Sequence, residues 1–129
     1  MSEPGVWAGI HEGGAARMTS FMKRSAKRWM LIKAGRQIKE EIEKAGIDNL
    51  NVLADAGISI IATYFNGCST QEKAAYKRDL NALLQMGVTV DMILTEVARQ
   101  MPEIAPIIEN RQDYKKTEIR NLELFLKES

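Results

Sequence analysis

One cysteine, one histidine, three prolines, and no acidic residue from Arg17 to Lys39: these scarcities set the first limits on the 129-residue chain. With Cys68 alone, no internal disulfide can form, which suits a reducing compartment. With His11 alone, the usual partners of a nucleophile or a metal ion are missing. His11-Glu12 resembles the start of a zinc-protease motif, but that motif needs a second histidine four residues on along a helix, and position 15 is Ala15 among glycines. No run of about 18 apolar residues exists. The longest candidate, Leu50 to Phe65, is too short and contains Asn51 and Asp55. Glu3 and the absence of an apolar core before Arg17 argue against a secretory signal, so an intracellular (cytoplasmic) or virion location is expected. Neither a GxxxxGK[ST] nor a GxGxxG pattern occurs, so no nucleotide-binding loop is expected. No strand-like alternation is found, and no internal repeat is read.

Against these absences stands a concentration of positive charge. Arg17, Lys23, Arg24, Lys27, Arg28, Lys33, Arg36 and Lys39 fall in 23 consecutive residues without one carboxylate, although the whole chain carries only +1. Residues 1–46 carry +4 and residues 47–129 carry −3. Such polarity points to a polyanionic partner for the N-terminal third.

Helical spacing organises the rest into one domain. Residues 1–16 read as an N-terminal arm, because Pro4, Gly5, Gly9, Gly13 and Gly14 oppose a helix. Residues 17–46 read as a basic helical segment with two apolar stripes out of phase. Met18, Phe21, Met22, Ser25, Trp29 and Ile32 form the first; Leu31, Ile38, Ile42 and Ala45 form the second. Arg24, Lys27 and Arg28 oppose the first stripe, and Lys33 and Arg36 oppose the second. Either one straight helix is held between two bodies, or the chain bends near Gly35 and aims both basic faces into one concavity. Trp29 and Phe21 lie on an apolar stripe, so packing is expected of them rather than stacking on bases.

Residues 47–129 read as a helical-bundle body. Asp48 is placed to cap a helix that is apolar nearly all round and runs to Phe65, where Asn66-Gly67 supplies left-handed positions for its stop. Ser69 and Glu72 form a capping box for the next helix, which ends at Gly87. Thr89 or Asp91 starts another, which ends before Pro102. A last helix, Ile107 to Lys127, presents Ile119, Leu122, Phe125 and Leu126. The class is therefore all-α: four or five helices, an extended N-terminal arm, and a long, straight or bent, basic helix.

No constellation carries catalysis. Cys68 precedes a helix start, where a thiol's pKa falls, but it has no base nearby. Glu40 and Lys44 are spaced as a surface ion pair. Glu118 and Glu123 have no ligand partner at helical spacing. A helix-turn-helix reader is weakly supported, because Lys73, Lys77 and Arg78 sit beside Glu72 and Asp79. No enzyme, metal or cofactor is expected.

In its layout of arm, basic segment and acidic-leaning helical body, the chain is similar in outline to coat proteins of filamentous archaeal viruses, whose N-terminal helices wrap DNA. It more loosely resembles small helical subunits of RNA-guided effector complexes. The first resemblance implies a self-assembling structural nucleoprotein, DNA weakly favoured over RNA, with the eight basic residues on the phosphate backbone. The alternative expectation is a helical adaptor for an acidic protein partner.

Overall fold

The computed structural model describes residues 20–46 and 48–128, and among them every regular element is an α-helix. In order these are α1 (Ser20–Ala45), α2 (Asp48–Asp55), α3 (Ile60–Asn66), α4 (Thr70–Gln85), α5 (Val90–Gln100), α6 (Ala105–Asn110) and α7 (Gln112–Lys127). The expected arm, residues 1–16, lies outside the described residues. The described helices number seven rather than four or five, because two stretches expected to be single helices are each broken in two.

The first break divides Leu50–Phe65. Gly57 adopts φ 71°, Ile58 N–H bonds Leu53 O at 2.9 Å, and Gly57 N–H bonds Ala54 O at 3.0 Å. This closes α2 with the left-handed glycine turn that satisfies the last carbonyls of a helix. Ser59 then caps α3, its hydroxyl accepting from Ala62 N–H. Thirty residues on, the arrangement recurs: Gly87 at φ 94°, Val88 N–H to Leu83 O, Gly87 N–H to Leu84 O, and Thr89 capping α5 through Met92 N–H. The two links read Leu53-Ala-Asp-Ala-Gly-Ile-Ser-Ile60 and Leu83-Leu-Gln-Met-Gly-Val-Thr-Val90, one spacing of leucine, glycine, β-branched residue, hydroxyl and β-branched residue. The same short link is thus used twice. The helix stops at Asn66 as expected, but without the left-handed positions: Gly67 has φ −81°, and among the described residues no non-glycine residue has positive φ.

The second break falls at Arg111, which leaves helical geometry (φ −121°, ψ 82°) after Asn110, a weak helix former, and pairs with Asp55 at 2.7 Å. Elsewhere the expected signals operate as written. Ser69 and Glu72 exchange both bonds of the capping box. Pro106 lies in the first turn of α6, where a missing N–H costs nothing.

These helices enclose one core. Phe65 stacks on Tyr76 at 4.7 Å between ring centres and meets Phe125 at 5.6 Å, joining α3, α4 and α7. The most extensive helix pair is α1 with α5. Helix α1 buries Leu31, Ala34, Gly35, Ile38 and Ile42, the second of its two stripes. It remains α-helical throughout, so of the two alternatives the chain takes the one long helix, without a break at Gly35. Gly35 has a different task. A Cβ there would come within 2.7 Å of Glu96 Cγ and 2.9 Å of Gln100 Nε2, so the missing side chain is what lets α5 cross so closely. At the crossing Gln100 donates to Ile32 O at 2.9 Å and to Glu96 Oε2 at 2.6 Å, while Arg99 Nη2 meets Glu96 at 2.6 Å.

Gly35→Ala is expected to lower stability by about 1–3 kcal/mol, despite alanine's better helix propensity, because the crossing is overpacked. Chemical denaturation measures it; an unchanged or raised midpoint would show that the crossing yields without strain.

Candidate functional site

The unbroken course of α1 decides where its cations point. Arg24, Lys27 and Arg28 continue the buried stripe toward the N-terminus, one to two turns beyond Leu31, at the spacing that keeps them on the body side. Arg24 and Arg28 are exposed there, and Lys27 is half-buried. The Lys27 ammonium lies 4.0 Å from where a Cβ on Gly87 would stand, at the link between α4 and α5. Trp29, Lys33 and Arg36 sit at i, i+4 and i+7 on the opposite side and face away from the body, all exposed. Lys39, half-buried, pairs with Glu43 at 3.9 Å. The six described cations therefore occupy two faces of one rod about 22 Å long rather than one concave surface. Arg17 lies outside the described residues, and Lys23 is described only as part of the backbone of α1.

Carboxylates do little to neutralise these groups. Among the described residues, Lys39 is the one of the six with a carboxylate oxygen within 4.0 Å. Arg28 acts on Glu96 through its charge: Arg99, Gln100 and Arg28 together hold Glu96 below the usual carboxylate range, against its burial, Arg99 contributing most. Arg24 and Arg36 are open to solvent, and Lys33 lies over an aromatic ring.

Trp29 departs from expectation. It is 60% exposed, not packed, and Lys33 Nζ lies 5.4 Å from its ring centre. The first apolar stripe of α1 thus points outward at Trp29, with Ile32 half-buried beside it.

The strongest polar cluster elsewhere in the molecule is structural. Glu118 of α7 is fully buried. Its Oε2 accepts from Ile60 N–H at 3.0 Å, and its Oε1 accepts from Ile61 N–H at 3.3 Å and from the Ser59 hydroxyl. These are the unpaired donors of the α3 N-terminus, satisfied by a carboxyl from another helix. The Tyr114 hydroxyl lies 2.6 Å from Glu118 Oε2 and 3.1 Å from Ile58 O, and accepts from Ile60 N–H at 3.2 Å. Burial pushes the Glu118 carboxyl above its ordinary range, against the bonds from Ser59, Tyr114, Ile60 and Ile61. Sequence reasoning missed this group, although a signal was there: Tyr114, Glu118, Leu122 and Phe125 share one stripe, with a carboxylate in its middle.

Burial and the charges of Glu41 and Glu72 raise the Cys68 thiol pKa, the reverse of what a reactive cysteine needs. Glu41 accepts from Tyr76 at 2.8 Å and from Lys44 at 3.2 Å, tying α1 to α4. A hollow of about 610 Å³ lies beside the Asp55–Arg111 pair, where Asp113, Tyr114 and Thr117 also line it. Among the described residues no group of three or more His, Cys, Asp or Glu could hold a metal ion, and no single helix is long and apolar enough to cross a membrane. No protein-family model matches the chain, and no curated protein or solved structure matches it.

Glu118→Ala leaves Ile61 N–H and the Ser59 O–H unpaired and Ile60 N–H with Tyr114 alone, so a loss of about 3 kcal/mol, roughly 10 °C in Tm, is expected. A loss below about 1 kcal/mol would show that water replaces the carboxyl. The pH dependence has a definite sign. The folded state binds the Glu118 proton more tightly than the unfolded chain does. Its contribution is thus fully present below the ordinary carboxylate range and lost as pH rises through the raised folded value. Glu96, held low, contributes above that range and loses its contribution as pH falls through its lowered value. In thermal melts from pH 4 to 8, the advantage of the wild type over Glu118→Gln should shrink as pH rises. A constant difference would mean that Glu118 does not titrate in that window.

Proposed function

We propose that this protein is a non-enzymatic structural nucleic-acid-binding protein that holds the phosphate backbone without sequence preference and assembles with copies of itself, as a coat or nucleoprotein subunit does. The observation that carries this reading is the set of basic residues on α1: Arg24, Lys27, Arg28, Lys33 and Arg36, without a carboxylate partner among the described residues. Arg17, Lys23 and Lys39 complete the proposed set. Lysine and arginine on a rigid rod neutralise successive phosphates and release their counterions, which gives affinity independent of base sequence. Assembly follows from charge polarity: exposed acids such as Glu103 and Glu123 on the body attract the basic rod of a neighbouring copy.

A second reading, a helical adaptor for an acidic protein, is favoured by one feature. A shallow groove of about 300 Å³ between α3 and α7 is bordered by Ile58 and Leu124, which are 44% and 54% exposed. Such a groove suits apolar anchors of a partner.

Binding of random-sequence duplex DNA across a salt series separates the two readings. Neutralising about five phosphates gives a slope of log K on log salt near −4 to −5. Replacing Arg24, Arg28, Lys33 and Arg36 together by glutamine should make the slope shallower, by up to about 3.6. No binding of DNA or RNA at low salt would overturn the nucleic-acid reading and leave the adaptor.

A further inference from the structure

The position of Trp29 says more about the ligand than charge does. A duplex hides its bases, and a rod that touches only phosphates has no use for an aromatic ring. On α1 an indole 60% open to solvent heads a stripe of cations, with Lys33 one turn on and Arg36 two turns on. Lys33 Nζ lies over the ring at 5.4 Å, so an ammonium already rests on one face of the indole and can swing from it to a phosphate. Exposing so much aromatic surface has a hydrophobic cost, which a stacked base would recover.

We infer that Trp29 is a stacking platform for an unpaired base, with Lys33 and Arg36 holding the adjoining phosphates, and that the preferred ligand is therefore single-stranded nucleic acid. The inference rests on the nucleic-acid reading of α1 and specifies its ligand. Aromatic–base stacking tolerates any base, so this platform adds affinity without adding sequence preference, in keeping with a backbone binder.

The test uses the full chain and three probes: a 12-nucleotide oligothymidine, a random single strand of that length, and the matching duplex. Trp29→Ala and Trp29→Phe are compared with wild type, each checked first for an unchanged melting temperature, as suits an exposed residue. Both single strands should bind more tightly than the duplex. Trp29→Ala should weaken single-strand binding roughly 5- to 150-fold and leave the salt slope unchanged, while Trp29→Phe should keep most of the affinity. Equal binding of duplex and single strand, or Trp29→Ala affinity equal to wild type, overturns the inference and leaves backbone binding standing. Loss of self-association in Trp29→Ala without loss of oligonucleotide affinity also overturns it, assigning the stripe to a contact between copies. Failure of the wild type to bind any probe at low salt removes both the inference and the reading beneath it.

Discussion

The crossing of α1 over α5 at Gly35 is the constraint from which the rest of the molecule takes its orientation. A helix with two apolar stripes has two ways to lie on a body, and the sequence pattern alone leaves them nearly equivalent. Gly35 removes the ambiguity. Only the stripe containing it can approach a partner helix closely enough for Gln100 to reach Ile32 O, and only there does Glu96 meet the field of Arg28. Once Leu31, Ile38 and Ile42 are buried, helical geometry turns Trp29, Lys33 and Arg36 outward. The composition of the outer surface is thus fixed by a contact on the inner one.

Two buried carboxyls hold this fold in chemically different ways. Glu96 is nearly enclosed, but a guanidinium reaches it, and the charged form wins. Glu118 meets backbone N–H groups and two hydroxyls, without a cation among its bonded partners, and burial wins. Protonated at Oε2, the Glu118 carboxyl can donate to the Tyr114 oxygen, which frees the Tyr114 hydroxyl for Ile58 O at 3.1 Å. Either protonation state leaves the cluster bonded, so α3 keeps its capped start.

Local signals were legible in the sequence, and contacts between distant segments were not. The all-helical class, the capping box at Ser69, the stop at Gly87 and the cap at Thr89 are each encoded within a few residues and appear as read. The break at Gly57 uses the same local grammar and was readable in principle: the Gly-Ile-Ser-Ile link repeats as Gly-Val-Thr-Val. It was masked by the unbroken apolar content on both sides, which mimics a single buried helix. Gly35 misled for a different reason. A glycine inside a helix signals weakness to any local rule, and only the opposing helix shows that the gap is filled. Glu118 required knowing that α7 lies across the start of α3. The basic run was plain in the sequence, but its division between two faces depended on which stripe the body chose.

The bond between Ser59 and Glu118 spans 59 positions of chain, and that separation has a kinetic side. Links such as those at Gly57 and Gly87 close over a handful of residues and form on the timescale of single helices. Bringing α7 onto α3 closes a much larger loop, whose entropic cost is met before its contacts return anything. The local links are thus expected to form first and α7 to dock later, as is α1 onto α5, whose Gln100–Ile32 bond spans 68 positions; until α7 arrives, the first N–H groups of α3 lack the carboxyl of Glu118.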